Sequence, residues 1–283
     1  MMDAPFDRSV AFRHVGMMVR SWRQRRRLTQ RDLACHAGIP TRQLGALEIG
    51  RSIPNRELVL HLAEQLDIPL RERNVLLGAA GFAPSFPVRA FDDPELAAAR
   101  ATVGLVLAGH EPNPAFAIDR RWYLMASNAA FQRLIVGVDP AVLSPPVNVL
   151  RLMLHPAGLA SRIANLQQWR EHMLQRLRWQ FDTTDDAALA DLREEIVDYP
   201  VPPDTAHDRG DRVGACVAVP LRLVAVDGTL AFLCTTSVFA TPLDVTLAEL
   251  TIETLFPADE ATAAIMRRTV HDRVDEARPA ATC

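Results

Sequence analysis

The chain has 283 residues and a net charge of −3, and 49% of its residues are hydrophobic. This length and hydrophobic content are sufficient for one large domain or two ordinary ones with substantial cores. It contains no run of about 18 or more apolar residues and does not begin with a charged segment followed by an apolar one, so we expect neither a transmembrane helix nor a signal peptide. Its 4 cysteines show no paired spacing, which argues against a disulfide framework or a zinc site and favours a cytoplasmic location.

The first 83 residues show the apolar spacing of five short helices. Residues 12–26 place Phe12, Val15, Val19 and Trp22 on one face at intervals of three and four, which predicts the first helix. Residues that favour helix ends mark the next three helices, namely Thr29 and Gly38 for the second, Pro40 and Gly50 for the third, and Asn55 for the fourth. A fifth short helix is expected over 69–79. These signals predict a compact all-α domain over residues 1–83.

The remainder of the chain has a mixed character. The segment GFAPSFPVRAFDDPEL predicts a linker over residues 84–98. Two short strands are then expected around Asp119, with a helix from Asn128, helices over 158–181 and 185–198, a long loop over 200–213, a hairpin turning at Asp227-Gly228 and a last strand in AELTIETLF. The pattern predicts an α+β domain with an antiparallel sheet over 99–268, followed by a flexible tail over 269–283.

The charges are distributed unevenly along the chain. Residues 1–83 contain 13 Arg and 8 acidic residues, whereas residues 84–283 contain 18 Arg and 26 acidic residues, and the chain has no lysine. A basic segment joined to an acidic one is typical of a DNA-binding module with a separate control domain. Two domains whose charges differ by accident would show the same balance, so charge alone does not decide between them.

Five residues occur at the positions that a helix-turn-helix requires. Ala34 is small where the next helix crosses, Gly38 takes the turn, and Ile39, Leu44 and Leu47 bury the back of the helix that follows. This set, inside a domain of five predicted helices, indicates a helix-turn-helix.

The segment VRSWRQRRRLTQRDLACHAGIPTRQLGALEIGRSIPNRELVLHLAEQLDIP resembles the XRE (Cro/C1-type) helix-turn-helix family over residues 12–80. The resemblance implies a lambda-repressor-like fold of five helices, a phosphate contact from Gln30, and an ion pair between Arg23 and Glu48 that is mainly structural. It also implies that Thr41, Arg42 and Ala46 occupy base-reading positions. Pro40 stands where serine or threonine is more usual, so the resemblance predicts no hydroxyl contact there.

The side chains expected at the DNA agree with these positions. Arg42 has the geometry to donate two parallel hydrogen bonds to a guanine. Thr41 or Gln43 can contact a base edge or a phosphate, and Ala46 can contact a methyl group. Arginines along the backbone would make the affinity depend on salt. The predicted DNA contacts are Gln30, Thr41, Arg42, Gln43, Ala46, Arg51, Asn55 and Arg56, and further arginines that could line the backbone are Arg20, Arg25, Arg26 and Arg27. For any single arginine, a solvated surface position is the alternative.

The second part of the chain resembles the MmyB-like ligand-binding domain that follows a helix-turn-helix in many bacterial regulators. The resemblance covers about residues 105–266 and depends on the AIDRRW turn, on Asn128, on Asn148 with Arg151, and on Trp169. It implies a PAS-like fold in which a sheet and its helices surround an apolar pocket, and some domains of this family are associated with fatty-acid-like ligands.

Aromatic and methionine side chains are the candidates for the lining of such a pocket, because they suit an adaptable apolar cavity. His155, or His172, could bind a polar head group. The predicted ligand-binding residues are Trp122, Met125, Phe131, Met153, His155, Trp169, Met173 and Phe232. A plain hydrophobic core would use the same residue types, so that alternative stays open.

Sequence motifs of enzymes are absent. The chain has no Gly-x-Ser-x-Gly elbow, no phosphate-binding glycine loop and no His-Glu-x-x-His motif, so we expect no enzymatic activity, no cofactor and no metal. We predict a transcription regulator that binds operator DNA as a homodimer and responds to a small apolar ligand. A ligand-free dimerisation or protein-interaction platform is the alternative for the second domain, and a DNA-tethered enzyme is the less favoured one.

Overall fold

The computed structural model describes residues 8–184, 186–201, 219–226 and 228–276, and for 8–13 and 269–276 it describes the backbone alone. The described residues divide into two units. The first contains those up to Arg89 together with Thr241–Ala248, and the second contains those of Ala90–Ala240 and those from Glu249 onward.

The first unit is all-α, as predicted. Its helices are α1 (Arg8–Arg25), α2 (Gln30–His36), α3 (Thr41–Glu48), α4 (Arg56–Gln65), α5 (Leu70–Ala79) and the one-turn α11 (Val245–Ala248). The helix ends follow the sequence signals. Thr29 and Asp32 form a reciprocal capping box at the start of α2, the Asn55 side chain accepts from the Leu58 amide, and Gly38 and Gly50 adopt positive φ.

The core of the first unit lies where the five predicted helices converge. Val15, Val19 and Trp22 of α1 meet Leu33 and Ala34 of α2, as the apolar spacing predicts; the Phe12 side chain lies outside the described residues. The cluster continues through α3, α4 and α5 with Leu44, Leu47, Val59, Leu62, Leu66, Ile68, Leu76 and Leu77. The aliphatic stripe of each helix is therefore buried against the others.

The second unit is α+β. Its strands are β1 (Ala115–Ile118), β2 (Leu124–Ser127), β3 (Leu221–Ala225), β4 (Gly228–Val238) and β5 (Thr251–Pro257). Its helices are α6 (Ala97–Gly109), α7 (Ala129–Leu134), α8 (Val149–Leu154), α9 (Leu166–Thr184), α10 (Ala187–Val197) and α12 (Glu260–Glu276).

The five strands form one antiparallel sheet in the order β2-β1-β5-β4-β3. In its register Phe116 lies opposite Glu253, and Cys234 lies opposite Leu255. Because side chains alternate along a strand, Phe116 and Ile118 face one cluster while Ala115 and Ala117 face another. The larger cluster lies under α7, α8, α9 and α10, and the smaller one includes Val103 and Leu107 of α6. An antiparallel sheet with helices packed on it is the PAS-like α+β architecture that the sequence predicted.

Several predicted boundaries differ from the structure. The helix expected over 158–181 begins only at Leu166, because Ile163 pairs with Leu223 and the Asn165 side chain bonds the backbone of Pro220 and Arg222. The end of the predicted linker over 84–98 is a short 3-10 turn at Pro94–Leu96 that leads into α6. The predicted tail over 269–283 begins inside α12. Asp227 and most of the predicted loop over 200–213 lie outside the described residues.

Candidate DNA-binding site and C-terminal core

Helix α3 presents a polar front and an aliphatic back. Thr41, Arg42 and Gln43 are exposed, whereas Leu44 and Leu47 are 0% and 1% exposed. Leu44 belongs to the core cluster and α3 packs against α1 and α2, so the polar triplet is held at the surface by contacts on the opposite side. Ala46 is half-buried, which leaves its methyl group partly accessible beside the triplet.

The turn before α3 is built from the predicted glycine. Gly38 has φ of 60°, a conformation that residues with a Cβ rarely adopt. The Ile39 amide then donates to the Ala34 carbonyl at 3.0 Å, and the Gln43 and Leu44 amides donate to the Pro40 carbonyl. These bonds fix the direction in which α3 leaves α2.

Gly16 of α1, which the sequence analysis did not single out, allows α3 to approach closely. A Cβ at this position would lie 2.2 Å from the carbonyl oxygen of Leu47. A glycine inside an otherwise apolar helical segment was the available signal. Such a glycine weakens the helix, so its presence indicates a close packing contact.

A buried carboxylate joins the first three helices. Glu48 is 3% exposed, and its two oxygens accept from Arg23 Nε at 2.6 Å and Arg23 Nη2 at 2.8 Å, which is the ion pair that the resemblance implies. Arg23 Nη1 also donates to the Leu28 carbonyl. Burial raises the pKa of Glu48, but the hydrogen bonds from Arg23 and Gln30 outweigh it and hold the pKa below its usual value.

Gln30 is oriented by this carboxylate. Its Nε2 donates to Glu48 Oε2 at 2.8 Å, and the side chain is half-buried at the first position of α2. A carboxamide nitrogen carries two hydrogens, so one N–H remains for a second acceptor. A phosphate oxygen is the acceptor that we expect there.

The remaining predicted DNA contacts follow α3 along the chain. Arg51, Asn55 and Arg56 are all exposed. Gln43 and Asn55 also line a shallow cavity of about 450 Å³ together with Ile53, Glu57, Leu58 and His61. The cavity connects the polar front of α3 with the start of α4. Neither Ile53 nor His61 carried a sequence signal for this position.

Arg26 has a structural contact that the sequence analysis did not predict. Its Nε donates to the Leu66 carbonyl and its Nη2 to the Asp67 carbonyl, both at 2.8 Å, at the end of α4. Its guanidinium also lies 5.8 Å from the centre of the Trp22 ring. These contacts bind Arg26 to the domain, so it differs from Arg20 and Arg27, which are exposed.

The residues that carry the second resemblance stabilise turns and helix ends. Asp119 Oδ1 accepts from the Arg121 and Tyr123 amides in the AIDRRW turn. Asn128 caps α7 and also bonds the backbone of Leu107, Asn113 and Ala115. Asn148 caps α8, while Arg151 forms a bidentate pair with Glu195. These side chains fix the framework around the larger cluster.

Six of the eight predicted ligand-binding residues lie in that larger cluster. Each is between 0% and 4% exposed, and they are Trp122, Phe131, Met153, Trp169, Met173 and Phe232. The structure places the other two elsewhere. Met125 packs in the smaller cluster with residues of α6, because its position in β2 directs it away from the larger one. His155 is half-buried, and its ring lies edge-on to Tyr199 with the ring centres 5.1 Å apart.

Trp169 carries a hydrogen-bond donor that is buried in the larger cluster. Its side chain is 1% exposed, and among the described residues its Nε1 has no hydrogen-bond partner. Buried donors are nearly always paired, because an unpaired one costs about 1–3 kcal/mol. The ring of His172 lies 5.6 Å away, centre to centre. Burial and the positive charge of Arg176 lower the pKa of His172.

A polar group within the apolar interior was missed by the sequence analysis. The Glu253 carboxylate, on β5, accepts from both Nη atoms of Arg176 on α9, and Glu253 is 2% exposed. The Arg176 guanidinium lies 4.6 Å from the centre of the Trp122 ring, and Trp122 Nε1 donates to Gln180 Oε1 at 2.8 Å. Burial and the charge of Glu253 raise the pKa of the nearby Cys234 thiol to about 12. A single acid inside the apolar strand TIETLF was the available signal.

In the described part of the chain, no helix combines the length and apolar content that crossing a membrane requires. Within the same residues, no group of three or more His, Cys, Asp or Glu side chains is arranged to hold a metal ion.

Comparison with known families gives two matches. Residues 99–268, more than half of the chain, match the model of the MmyB-like transcription regulator ligand binding domain. Residues 14–76 match a helix-turn-helix domain. No curated protein matches the chain.

A comparison with solved structures finds a chain described as an RNA-binding light-oxygen-voltage receptor. It is 14% identical with a TM-score of 0.25, and the alignment covers 93% of this chain and 66% of that one, slightly less than two thirds.

Proposed function

The chain belongs to the family of MmyB-like transcription regulators, and from this premise we propose that it binds operator DNA through the exposed front of α3. With its helix-turn-helix domain, it is a DNA-binding transcription regulator. The observation that carries the proposal for α3 is the exposure of Thr41, Arg42 and Gln43 on a helix whose opposite side is fully buried. A helix presented in this way fits the major groove of B-form DNA.

Arg42 would supply most of the base discrimination. Its guanidinium has parallel donors that match O6 and N7 of guanine, and such a pair contributes about 1–3 kcal/mol of discrimination. Thr41 and Gln43 lie beside it for a base edge or a phosphate, and the partly accessible methyl group of Ala46 suits a thymine methyl.

Contacts to phosphates would position the domain without reading sequence. Gln30 is preoriented by Glu48 and carries a second N–H that could donate to a phosphate oxygen. Arg51, Asn55 and Arg56 lie exposed after α3. The protein would bind as a homodimer to a two-fold symmetric operator, with half-sites about one helical turn apart.

Selection of binding sites from random duplexes by the full-length chain tests this proposal. Enrichment of a symmetric site that contains a guanine at the Arg42 position supports it. Failure to enrich any sequence, with no duplex binding at low ionic strength, contradicts it.

The second domain would control DNA binding by accepting a small, apolar, fatty-acid-like molecule in the larger cluster. Two observations support this role. Six predicted residues converge in one apolar interior, and the Trp169 N–H, which has no acceptor among the described residues, is available for a polar head group. A ligand changes DNA affinity only as far as it binds one arrangement of the protein better than another. The domain would act by binding and not by catalysis.

A ligand-free platform for dimerisation or protein interaction is the second candidate. The near-complete burial of the six residues favours it, because the same side chains form a closed hydrophobic core. Thermal denaturation with a panel of fatty acids separates the two candidates. A bound ligand at a hundredfold excess over its dissociation constant stabilises the protein by about 2.7 kcal/mol. No stabilisation by any apolar compound favours the platform.

A further inference from the structure

The connection between β4 and β5 contains a segment that belongs to the first unit. The two strands are paired neighbours, with Val238 opposite Thr251, so a loop of about two to five residues would suffice to join them. The connection instead runs over residues 239–250 and includes α11. Its residues Thr241–Ala248 group with the residues up to Arg89. Val245, at the start of α11, is 0% exposed.

This segment is held on the stretch of residues 87–89 by polar contacts. The Val245 amide donates to the Pro87 carbonyl at 2.9 Å. Arg89 Nη1 donates to Asp244 Oδ2 at 2.8 Å, and Asp244 is 5% exposed. The Thr246 hydroxyl donates to the Arg89 carbonyl. Removal of the arginine partner of a mostly buried carboxylate strongly destabilises the folded protein, so this contact is not an incidental surface pair.

The same stretch is fixed to the helices of the first unit just before these residues. Asn74 of α5 accepts from the Ser85 and Phe86 amides at 2.9 Å and 3.1 Å and donates to the Phe86 carbonyl at 2.6 Å. The hydroxyl of Ser85 accepts from Arg56 Nη2 at 2.6 Å. Arg56 is exposed at the first position of α4 and is one of the predicted phosphate contacts. A continuous series of contacts therefore joins Asp244 to Arg56.

We propose that residues Thr241–Ala248 form a clasp that holds Ser85 against Arg56 and keeps the Arg56 guanidinium away from DNA. The proposal rests on the proposed DNA-binding function. The clasp is bounded by β4 and β5, two strands that contribute Phe232 and Glu253 to the interior of the second unit. A change in those strands reaches the clasp through the chain itself. Release of the clasp frees Ser85 and adds one phosphate contact from Arg56.

The salt dependence of DNA binding by the full-length chain tests the clasp. Each added phosphate contact makes the slope of log K against log salt steeper by about 0.9, which is about 3.5-fold more affinity lost between about 50 and 200 mM salt. Asp244→Asn, which removes the pair with Arg89, and Ser85→Ala, which removes the acceptor, should both produce this change. Glu260→Gln, which removes an exposed ion pair on α12, is the matched control and should leave the slope unchanged.

The Arg56→Ala background decides whether Arg56 carries the effect. In that background, neither Asp244→Asn nor Ser85→Ala should alter the slope. An unchanged slope for Ser85→Ala, or a change that persists without Arg56, overturns the proposal.

Amide hydrogen exchange gives a reading that does not depend on DNA. Asp244→Asn should accelerate exchange at Val245, Ser85 and Phe86, and unchanged exchange at all three overturns the clasp. If the unmodified chain binds no duplex at all, the proposed function fails, while the exchange measurement still tests the clasp.

Discussion

Replacement of Gly16 by alanine tests how closely α1 and α3 must approach. A Cβ at Gly16 would lie 2.2 Å from the carbonyl oxygen of Leu47 and 3.0 Å from that of Glu48. Both are backbone atoms, so rotation of a side chain does not relieve the contact, and one helix must move. Gly78 in α5 is the matched control, because a Cβ added there meets no atom within 4 Å.

The two substitutions should have opposite signs. Alanine in place of glycine inside a helix stabilises by about 1 kcal/mol. Gly78→Ala should gain part of this, because Gly78 lies one residue before the end of α5. Overpacking costs about 1–3 kcal/mol, and a contact more than about 1 Å inside ordinary van der Waals distance belongs at the upper end of that range. Gly16→Ala should therefore destabilise the first unit by about 2 kcal/mol, the difference between the two effects.

Native-state hydrogen exchange of the full-length chain measures both changes, because amides of α1 to α5 report the free energy of opening of the first unit. Duplex affinity of Gly16→Ala should fall as well, since α3 is displaced. A Gly16→Ala chain that is as stable as Gly78→Ala, or more stable, would refute the close packing of α1 on α3.

Three further predictions concern single side chains. The hydrogen bonds of Arg23 and Gln30 keep the pKa of Glu48 below its usual value, so the contribution of Glu48 to stability is present at neutral pH and is lost as the pH falls through the folded-state pKa. The difference in unfolding free energy between wild type and Glu48→Gln should therefore shrink from pH 7 toward about pH 4 and below. A difference that stays constant with pH contradicts this. Gln30→Ala should weaken binding to all duplex sequences about equally, as measured by competition between specific and random duplexes, and a selective loss for one sequence would mean that Gln30 reads a base. Trp169→Phe should lower the affinity for a carboxylate-headed apolar ligand about tenfold or more, as measured by calorimetry, because a hydrogen bond to a charged group contributes about 1.5–3 kcal/mol; unchanged affinity would place the head group elsewhere.

The first unit was predictable because its signals are local. Thr29 precedes Asp32 by three residues, Gly38 lies two residues after the last residue of α2, and Asn55 lies three residues before the amide that it caps. Each of these helix ends depends on backbone within one turn of the residue, so the local sequence predicts where the helix begins or ends. The exposed front of α3 followed from the same local spacing.

The features that the sequence did not predict depend on distant partners. Arg26 bonds carbonyls at Leu66 and Asp67, about forty residues away, and its surface-like sequence context gives no sign of this. Arg176 and Glu253 are separated by 77 positions. The start of α9 was misplaced because the pairing of Ile163 with Leu223 overrides the local helical pattern.

The contacts of the proposed clasp were also not predicted, because they join residues that are even farther apart in the sequence. Arg89 and Asp244 lie 155 positions apart in the sequence, with strands β1 to β4 between them, and neither residue belongs to a recognisable motif. Residues 241–248 were assigned to the second domain by their position in the chain, whereas the structure groups them with the first unit. Chain order alone does not show that a connection between two strands packs with an earlier domain.

Binding-site selection with the Arg42→Ala variant tests the central claim, that the front of α3 reads nucleotide edges, most directly. The selected site should lose its preference at one base pair in each half-site and keep its preference elsewhere, with a loss of about 1–3 kcal/mol for the best site. A selected site identical to that of the unmodified chain, at the same affinity, would contradict the assignment of α3 as the recognition helix.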